Sequence, residues 1–195
     1  MISSLHADAF AETVRSSRGL VARKAAMHDI PAILQVINGY AAKGIMLPRT
    51  EFEMSEAIRD FTVITRGTEL LGCGALHFYS PSVGEIRSLA VAEAAKTQGV
   101  GRQLVEALSA EAETFNLDAV FAFTYVVEFF QKVGFQVVER GILPLKAWKD
   151  CLRCPKFHAC DEIAVLRVLR PERWDRTAPQ FEADPYIQLP TPRLP

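Results

Sequence analysis

The sequence predicts an α/β (α+β) fold, in which a central sheet of about six or seven strands is flanked by helices. Residues 119–125 form a continuous apolar run, which is typical of a strand buried inside a sheet. Residues 101–115 place Leu and Val at helical spacing, which indicates an amphipathic helix. Short strand-like runs alternate with such helical segments along much of the chain.

The first half of the chain supplies the opening strand, two helices and a hairpin. A strand is predicted at 20–25, and Asp29 with Pro31 marks the start of a helix whose apolar face includes Ile33 and Ile37. Gly44 ends that region, and a loop at 47–50 leads into a short helix. The remaining predicted elements of this half are a helix at 51–60 and a hairpin of 61–65 with 70–79 about Gly67.

The second half begins with a turn at 80–84 that leads into a strand. The predicted elements are a strand at 85–91, a helix at 101–115, a strand at 119–125, a helix at 127–133 stopped by Gly134, and strands at 135–139 and 163–168. Residues 1–19 are predicted to be an extension, residues 20–170 one domain, and residues 171–195 a proline-rich tail.

Composition excludes several classes of function. Hydrophobic residues make up 49% of the chain, which is enough for a core, and the net charge of −1 gives no general attraction to nucleic acid or membrane. No apolar run is long enough to span a bilayer. Asp8 and Glu12 argue against a transit peptide, and the four cysteines do not resemble a secreted disulfide framework, so we expect a cytoplasmic protein.

Two glycines open the helix that follows the strand at 85–91. Backbone N–H groups at a helix start have no partner inside the helix, and Gly99 and Gly101 keep side chains away from them, so this turn suits a pyrophosphate. The third glycine of a dinucleotide-binding loop and the Gly-Lys-Ser/Thr of a phosphate-binding loop are both absent. The alternative is an ordinary helix start that binds nothing.

The segment EIRSLAV, followed by the spacing K-x-x-G-x-G, resembles the acetyl-CoA-binding core of the GNAT family of N-acetyltransferases. The later segment FFQKVGF is similar to the family's closing helix and strand. Lys96 and Phe130 depart from the Gln or Arg and the Tyr that the family prefers. The resemblance covers roughly 20–168 and implies the GNAT fold, with a mixed sheet. Residues 39–50 and 143–151 resemble the short bacterial amino-acid N-acetyltransferases that make N-acetylglutamate for arginine biosynthesis.

The resemblance implies acetyl-CoA as co-substrate. Backbone groups around the end of the strand would hold the pantetheine arm, and amides of the following turn would hold the pyrophosphate. The residues so implied are Leu89, Ala90, Val91, Gln98, Gly99, Val100, Gly101 and Arg102.

Glu85 is the candidate general base, because the family often carries a Glu at this offset. Alternation along a strand predicts that Glu85, Arg87 and Leu89 share one face. The turn at 80–84 is expected to bring His77 and Tyr79 beside Glu85 and Arg87, where His77 can orient the amine or relay its proton. The alternatives are a solvated Glu85 paired with Arg87 and a structural histidine.

Phe130 cannot donate a proton to the leaving thiolate, so Tyr125 or water is the candidate acid. An acidic amino acid needs cationic partners for its carboxylates. The candidates for binding it are Arg49, Tyr79, Arg87, Lys146 and Lys149. Each charged group has the alternative of being an ordinary surface charge.

Cys151-x-x-Cys154, followed by His158 and Cys160, has the composition of a compact structural zinc site. The alternative is a set of reduced thiols in a loop near the substrate cleft. Cys73, inside an apolar strand, is expected to be a core residue.

The resemblance, together with these candidate residues, implies an acetyl-CoA-dependent transferase that acetylates the α-amine of a free amino acid, with L-glutamate as first candidate and L-glutamine as second. Two alternatives stay open: acetylation of a protein N-terminus or lysine, and a non-catalytic module that binds acetyl-CoA and a metal. The expected partners are small molecules, and a homodimer is compatible with the sequence.

Overall fold

The computed structural model describes residues 14–15, 19–143, 154–156 and 159–174. In this part of the chain eight strands form one sheet, in the order β1-β2-β3-β4-β5-β6-β8-β7. The strands are β1 (Val14–Arg15), β2 (Val21–Lys24), β3 (Phe61–Arg66), β4 (Glu69–Phe78), β5 (Val83–Val91), β6 (Ala119–Thr124), β7 (Gln136–Val137) and β8 (Ile163–Val168). β5 and β6 are parallel, and all other neighbours are antiparallel. The predicted mixed sheet flanked by helices is therefore confirmed.

Among the described residues, four α-helices cover the two faces of the sheet. They are α1 (Ile30–Ala41), α2 (Glu51–Ala57), α3 (Val100–Thr114) and α4 (Val127–Lys132). α1 and α2 bury Ile33, Ile37 and Met54 against one face of β3, β4 and β5. α3 packs on the other face, where Val105 and Leu108 share a cluster with side chains of β4, β5, β6 and α4. None of the helices described is both long and apolar enough to cross a membrane.

Two glycines of β4 allow α3 to lie directly on the sheet. A Cβ at Gly72 would lie 2.9 Å from the Ala90 carbonyl oxygen and 2.9 Å from Val100 Cγ1. A Cβ at Gly74 would lie 2.9 Å from Leu89 Cδ1. The candidate cofactor turn opens α3. This helix can therefore pack closely on β4, because the two glycines have no side chains on this face.

A β-bulge interrupts the pairing of β4 with β5. Ala75 is opposite Arg87 and Cys73 is opposite Ala90, so two residues of β5 occupy the space opposite one residue of β4. Ser88 takes a positive φ of 52° at this point. The predicted common face for Glu85, Arg87 and Leu89 is wrong for Leu89, because the bulge moves its side chain to the α3 face, where it packs in the core.

The parallel pairing of β5 with β6 is short. It joins Val83 to Ala119, Gly84 to Val120 and Glu85 to Phe121. Both strands continue beyond this last pair, β5 to Val91 and β6 to Thr124. The two strands therefore separate after Glu85 and leave an opening, called here the β5–β6 opening.

Apart from β1, which was not predicted, the other differences from the predicted elements lie at their ends. The helix predicted at 51–60 ends as the 3-10 turn Ile58–Asp60, and the strand predicted at 135–139 is reduced to Gln136–Val137. β1 lies inside the predicted N-terminal extension and pairs with β2. The boundaries of the predicted extension, domain and tail stay predictions.

We expect Gly72→Ala to lower the free energy of unfolding by about 1–3 kcal/mol, because the added methyl group would force Ala90 and Val100 apart. Gly39→Ala in α1 is the matched control, since a Cβ there meets no described atom within 4 Å. In a helix interior that change is expected to stabilise by about 0.5–1 kcal/mol. Urea denaturation measures both, and a Gly72→Ala variant as stable as the wild type would contradict the close packing.

Candidate active site

Polar side chains from β4 and β5 meet on the sheet face covered by α1 and α2. His77 is directly opposite Glu85 in the antiparallel register, and Ala75 is opposite Arg87, as the turn at 80–84 predicted. Tyr79 follows β4, and its ring lies 5.2 Å from that of His77 in an edge-to-face arrangement. The structure therefore brings together His77, Tyr79, Glu85 and Arg87.

Glu85 lies where the β5–β6 opening begins. Glu85 is only 1% exposed. In the sheet it is opposite His77 of β4 on one side and Phe121 of β6 on the other. Transferring a carboxylate from water into a protein interior is costly, so such groups are concentrated at sites with a chemical role. The burial contradicts the alternative of a solvated surface carboxylate.

Asp60 belongs to this cluster and was missed from the sequence. Its Oδ2 lies 3.1 Å from His77 Nδ1 and 4.0 Å from Arg87 Nη2. The residue ends the 3-10 turn before β3, and the β3–β4 register, in which Phe61 is opposite Ala75, places it beside His77. The hairpin predicted about Gly67 indicates this contact only when the register between its two strands is known.

The start of α3, the α-helix that follows β5 in the chain, presents backbone N–H groups. Gly99 is the N-cap with φ +86°, and no side chain caps the helix. The first internal hydrogen bond runs from Gln103 N–H to Gly99 O at 3.0 Å, so the N–H groups of residues 100–102 precede the helical ladder. They are the donors that an anion would meet.

Two members of the predicted cofactor turn have structural contacts. The N–H of Gln98 donates to Ala95 O at 3.3 Å, and its side-chain oxygen accepts from Arg66 Nη2 at 2.7 Å. At Gly101 a Cβ would lie 3.2 Å from Phe129 Cζ, so this glycine also admits the aromatic ring of α4. The sequence predicts only phosphate access for Gly101.

The end of β5 directs backbone groups into the β5–β6 opening. Ala92 N–H donates to Leu71 O, and Ala90 pairs with Cys73, so these two residues face β4. Peptide groups alternate along a strand, so those of Leu89 and Val91 face the opposite edge. The Val91 carbonyl accepts a hydrogen bond of 2.7 Å from the hydroxyl of Tyr40 in α1.

The last turns of α1 also hold the loop that contains Arg49. Asn38 Nδ2 donates to Arg49 O at 3.0 Å, and Arg49 N–H donates to Asn38 Oδ1 at 2.9 Å. Asn38 and Tyr40 therefore connect one helix to the Arg49 loop and to the edge of β5. Neither residue was predicted, because their partners are 11 and 51 residues away in the chain.

Tyr125 directly follows β6 and is 41% exposed. Its hydroxyl donates to Asp161 Oδ1 at 2.7 Å and accepts from Lys156 Nζ at 3.1 Å. Burial, followed by the hydrogen bond to Asp161, raises the pKa of Tyr125, which makes it a weaker acid. Phe130 is a core residue, 4% exposed and packed on Phe135.

Several candidate residues, namely Lys146, Lys149, Cys151 and His158, lie outside the described residues. Cys154 and Cys160 are described and are free thiols. Within the described ranges no group of three or more potential metal ligands occurs, and the zinc site stays a prediction. Cys73 is a core residue, as expected, and burial raises its pKa to about 12.

Comparison with known proteins identifies relatives of this chain. The model of the acetyltransferase (GNAT) family matches residues 38–135. A Chlorobaculum tepidum protein described as an uncharacterized N-acetyltransferase is 42% identical over 147 residues, which are 75% of this chain and 95% of the relative. The amino-acid acetyltransferase of Mycobacterium tuberculosis is 37% identical over 122 residues, 61% of this chain and 70% of the relative.

A solved structure shares the fold. The N-acetylglutamate synthase of Neisseria gonorrhoeae, complexed with coenzyme A and N-acetyl-glutamate, superposes with a TM-score of 0.71 at 27% identity. The match covers 77% of this chain and 35% of that chain, so this chain corresponds to about a third of the synthase.

Removal of the Asn38 amide is expected to loosen the Arg49 loop while α1 persists. In Asn38→Ala the Arg49 N–H loses its acceptor, and its hydrogen exchange should accelerate about tenfold, as expected for loss of one hydrogen bond. Gln35→Ala, on an exposed position of the same helix, is the control. Hydrogen exchange is measured by NMR. An unchanged exchange rate of the Arg49 amide would show that Asn38 does not hold the loop.

Proposed function

The chain belongs to the acetyltransferase (GNAT) family, and on that premise we propose that it acetylates the α-amino group of a free amino acid, with L-glutamate as the first candidate and L-glutamine as the second. At the level of the family it is an acetyl-CoA-dependent N-acetyltransferase. An L-glutamate acceptor would place it at the first step of arginine biosynthesis.

The single observation that carries the proposal is the position of buried Glu85. The carboxylate lies opposite His77, with Arg87 two residues further along β5, where the β5–β6 opening begins. The names of the M. tuberculosis and N. gonorrhoeae relatives support an amino-acid acceptor. Arg87 and Arg49 are the cations proposed for its carboxylates, because a guanidinium binds a carboxylate through two hydrogen bonds.

Acetyl-CoA is proposed to enter through the β5–β6 opening. The outward-facing peptide groups of Leu89 and Val91 would pair with the amides of the pantetheine arm, as a further strand would. The N–H groups at the start of α3 would bind the pyrophosphate, assisted by the positive end of the helix dipole. When bound, the cofactor supplies the acetyl thioester.

Glu85 is proposed to accept the proton of the acceptor ammonium, directly or through a water molecule. The neutral amine then attacks the thioester carbon, and the oxyanion of the tetrahedral intermediate is stabilised by a backbone N–H near Leu89. Collapse breaks the carbon–sulfur bond, and the nitrogen loses its second proton to water, which gives the N-acetyl product and a thiolate. The side chains of His77 and Tyr79 border the same space as Glu85.

Protonation of the thiolate is the step with the least support from side chains. Tyr125 is the proposed donor, but its hydroxyl donates to Asp161, and its raised pKa disfavours proton loss. A thiolate is a good leaving group, so water can supply this proton. Lys146 and Lys149 stay candidates for acceptor binding on the basis of the sequence.

The proposal is tested by measuring thiol release from acetyl-CoA with each of the common amino acids. We expect release that requires L-glutamate or L-glutamine and yields the N-acetyl derivative. Release with peptides that present a free N-terminus or lysine, but with no free amino acid, would favour the protein-acetylating alternative. No release with any amine would favour the binding module.

Glu85→Gln is expected to lower kcat by about 10²–10⁴-fold, because the amide cannot accept the proton. The affinity for acetyl-CoA should stay within the error of calorimetry, and the pH dependence of kcat should flatten. Glu69→Gln, at an exposed position of β4, is the matched control. Equal pH–rate profiles for wild type and Glu85→Gln would remove Glu85 from the role of base.

Gly101→Asp is expected to weaken acetyl-CoA binding at least about tenfold, because a carboxylate near the helix N-terminus would repel the pyrophosphate. Gly101→Ala separates the effect of the charge from the effect of the contact with Phe129, since its methyl group meets the same ring but adds no charge. Calorimetry with coenzyme A measures both variants. Wild-type affinity in Gly101→Asp would show that the pyrophosphate does not bind at this turn.

A further inference from the structure

Asp60 and His77 form a pair that the reaction above does not use. His77 Nδ1 lies 3.1 Å from Asp60 Oδ2, which is hydrogen-bond distance. A carboxylate has only acceptors, so the hydrogen of this bond must be on the imidazole nitrogen. A neutral His77 with hydrogen on Nδ1 has a lone pair on Nε2, the ring nitrogen that points away from Asp60.

We propose that Asp60 is a positioning residue that fixes His77 in the Nδ1–H tautomer, so that Nε2 accepts a hydrogen bond from the ammonium group of the acceptor. This inference rests on the proposed function, because it assigns to the same site a second hydrogen-bond acceptor for the ammonium group. The first is the carboxylate of Glu85, which lies opposite His77 in the register of β4 and β5.

The surroundings restrict the histidine ring. The Tyr79 ring contacts it edge-on, with an angle of 84° between the planes. The side chains of His77 and Asp60 are 26% and 32% exposed, so the bond between them is partly shielded from water. Of the charged groups described near His77, Asp60 contacts the imidazole, Glu85 is opposite His77 in the strand register, and Arg87 approaches the same Asp60 oxygen.

Arg87 Nη2 lies 4.0 Å from the same Asp60 oxygen that contacts His77. Asp60 could therefore act through Arg87 alone, by orienting the guanidinium for the acceptor carboxylate. In that case the tautomer of His77 would be incidental. The two routes differ in whether the effect of changing Asp60 depends on the presence of His77.

The first test reads the tautomer without any enzymatic reaction. Long-range ¹H–¹⁵N spectra of the protein labelled at its four histidines distinguish Nδ1–H from Nε2–H, and His77→Gln assigns the signal. We expect the Nδ1–H form in the wild type and in Asp60→Asn, whose amide oxygen can still accept. Asp60→Ala should shift His77 towards Nε2–H. An Nε2–H form in the wild-type protein would overturn the proposal, even if the enzyme acetylates amino acids as proposed above.

The second test measures kinetics with the amino acid found in the acceptor screen. Asp60→Ala should lower kcat/KM for the acceptor about tenfold, while Asp60→Asn keeps most of the activity and the affinity for acetyl-CoA is unchanged in both. Glu56→Ala, an exposed carboxylate in α2, should have no effect. In a His77→Gln background Asp60→Ala should cause no further loss. A full tenfold loss in that background would show that Asp60 acts through Arg87, and would overturn the proposal.

Discussion

The separation of β5 from β6 is the constraint on which the rest of the site depends. β5 leaves β6 after the pair Glu85–Phe121, and a bulge at Ser88 shifts its register against β4. The peptide groups of Leu89 and Val91 therefore face an edge where the pairing with β6 has ended. Backbone groups inside a sheet are normally satisfied by the adjacent strand, so a continuous β5–β6 ladder would leave no donors or acceptors there for a ligand.

The same bulge places the groups proposed for proton transfer and the groups proposed for cofactor binding on different faces of β5. Before the bulge, Glu85 and Arg87 lie on the face covered by α1 and α2, with His77 and Asp60. After it, Leu89 packs towards α3, whose N-terminus is the candidate pyrophosphate site. The candidate base Glu85 and the candidate pyrophosphate site at the start of α3 therefore lie on opposite faces of the sheet.

α1 contacts both proposed binding regions through its C-terminal turns. Tyr40 holds the Val91 carbonyl at the proposed cofactor edge, and Asn38 holds the backbone of Arg49 in the proposed acceptor loop. Asn38 and Tyr40 are two positions apart in one packed helix, so the two proposed binding regions are held by the same element.

The sequence by itself determined the order of strands and helices from β2 onward, the glycine-opened helix at the candidate cofactor turn, and the facing of His77 and Glu85, because hydrophobic period, turn residues and alternation are local properties. Only the tertiary structure decided where alternation fails. The bulge at Ser88 reverses the face of Leu89, and Gly101 serves the packing of Phe129 as well as the helix start. Asp60, Asn38 and Tyr40 contact partners that are distant along the chain, and such contacts depend on strand register and helix placement, which no local pattern encodes.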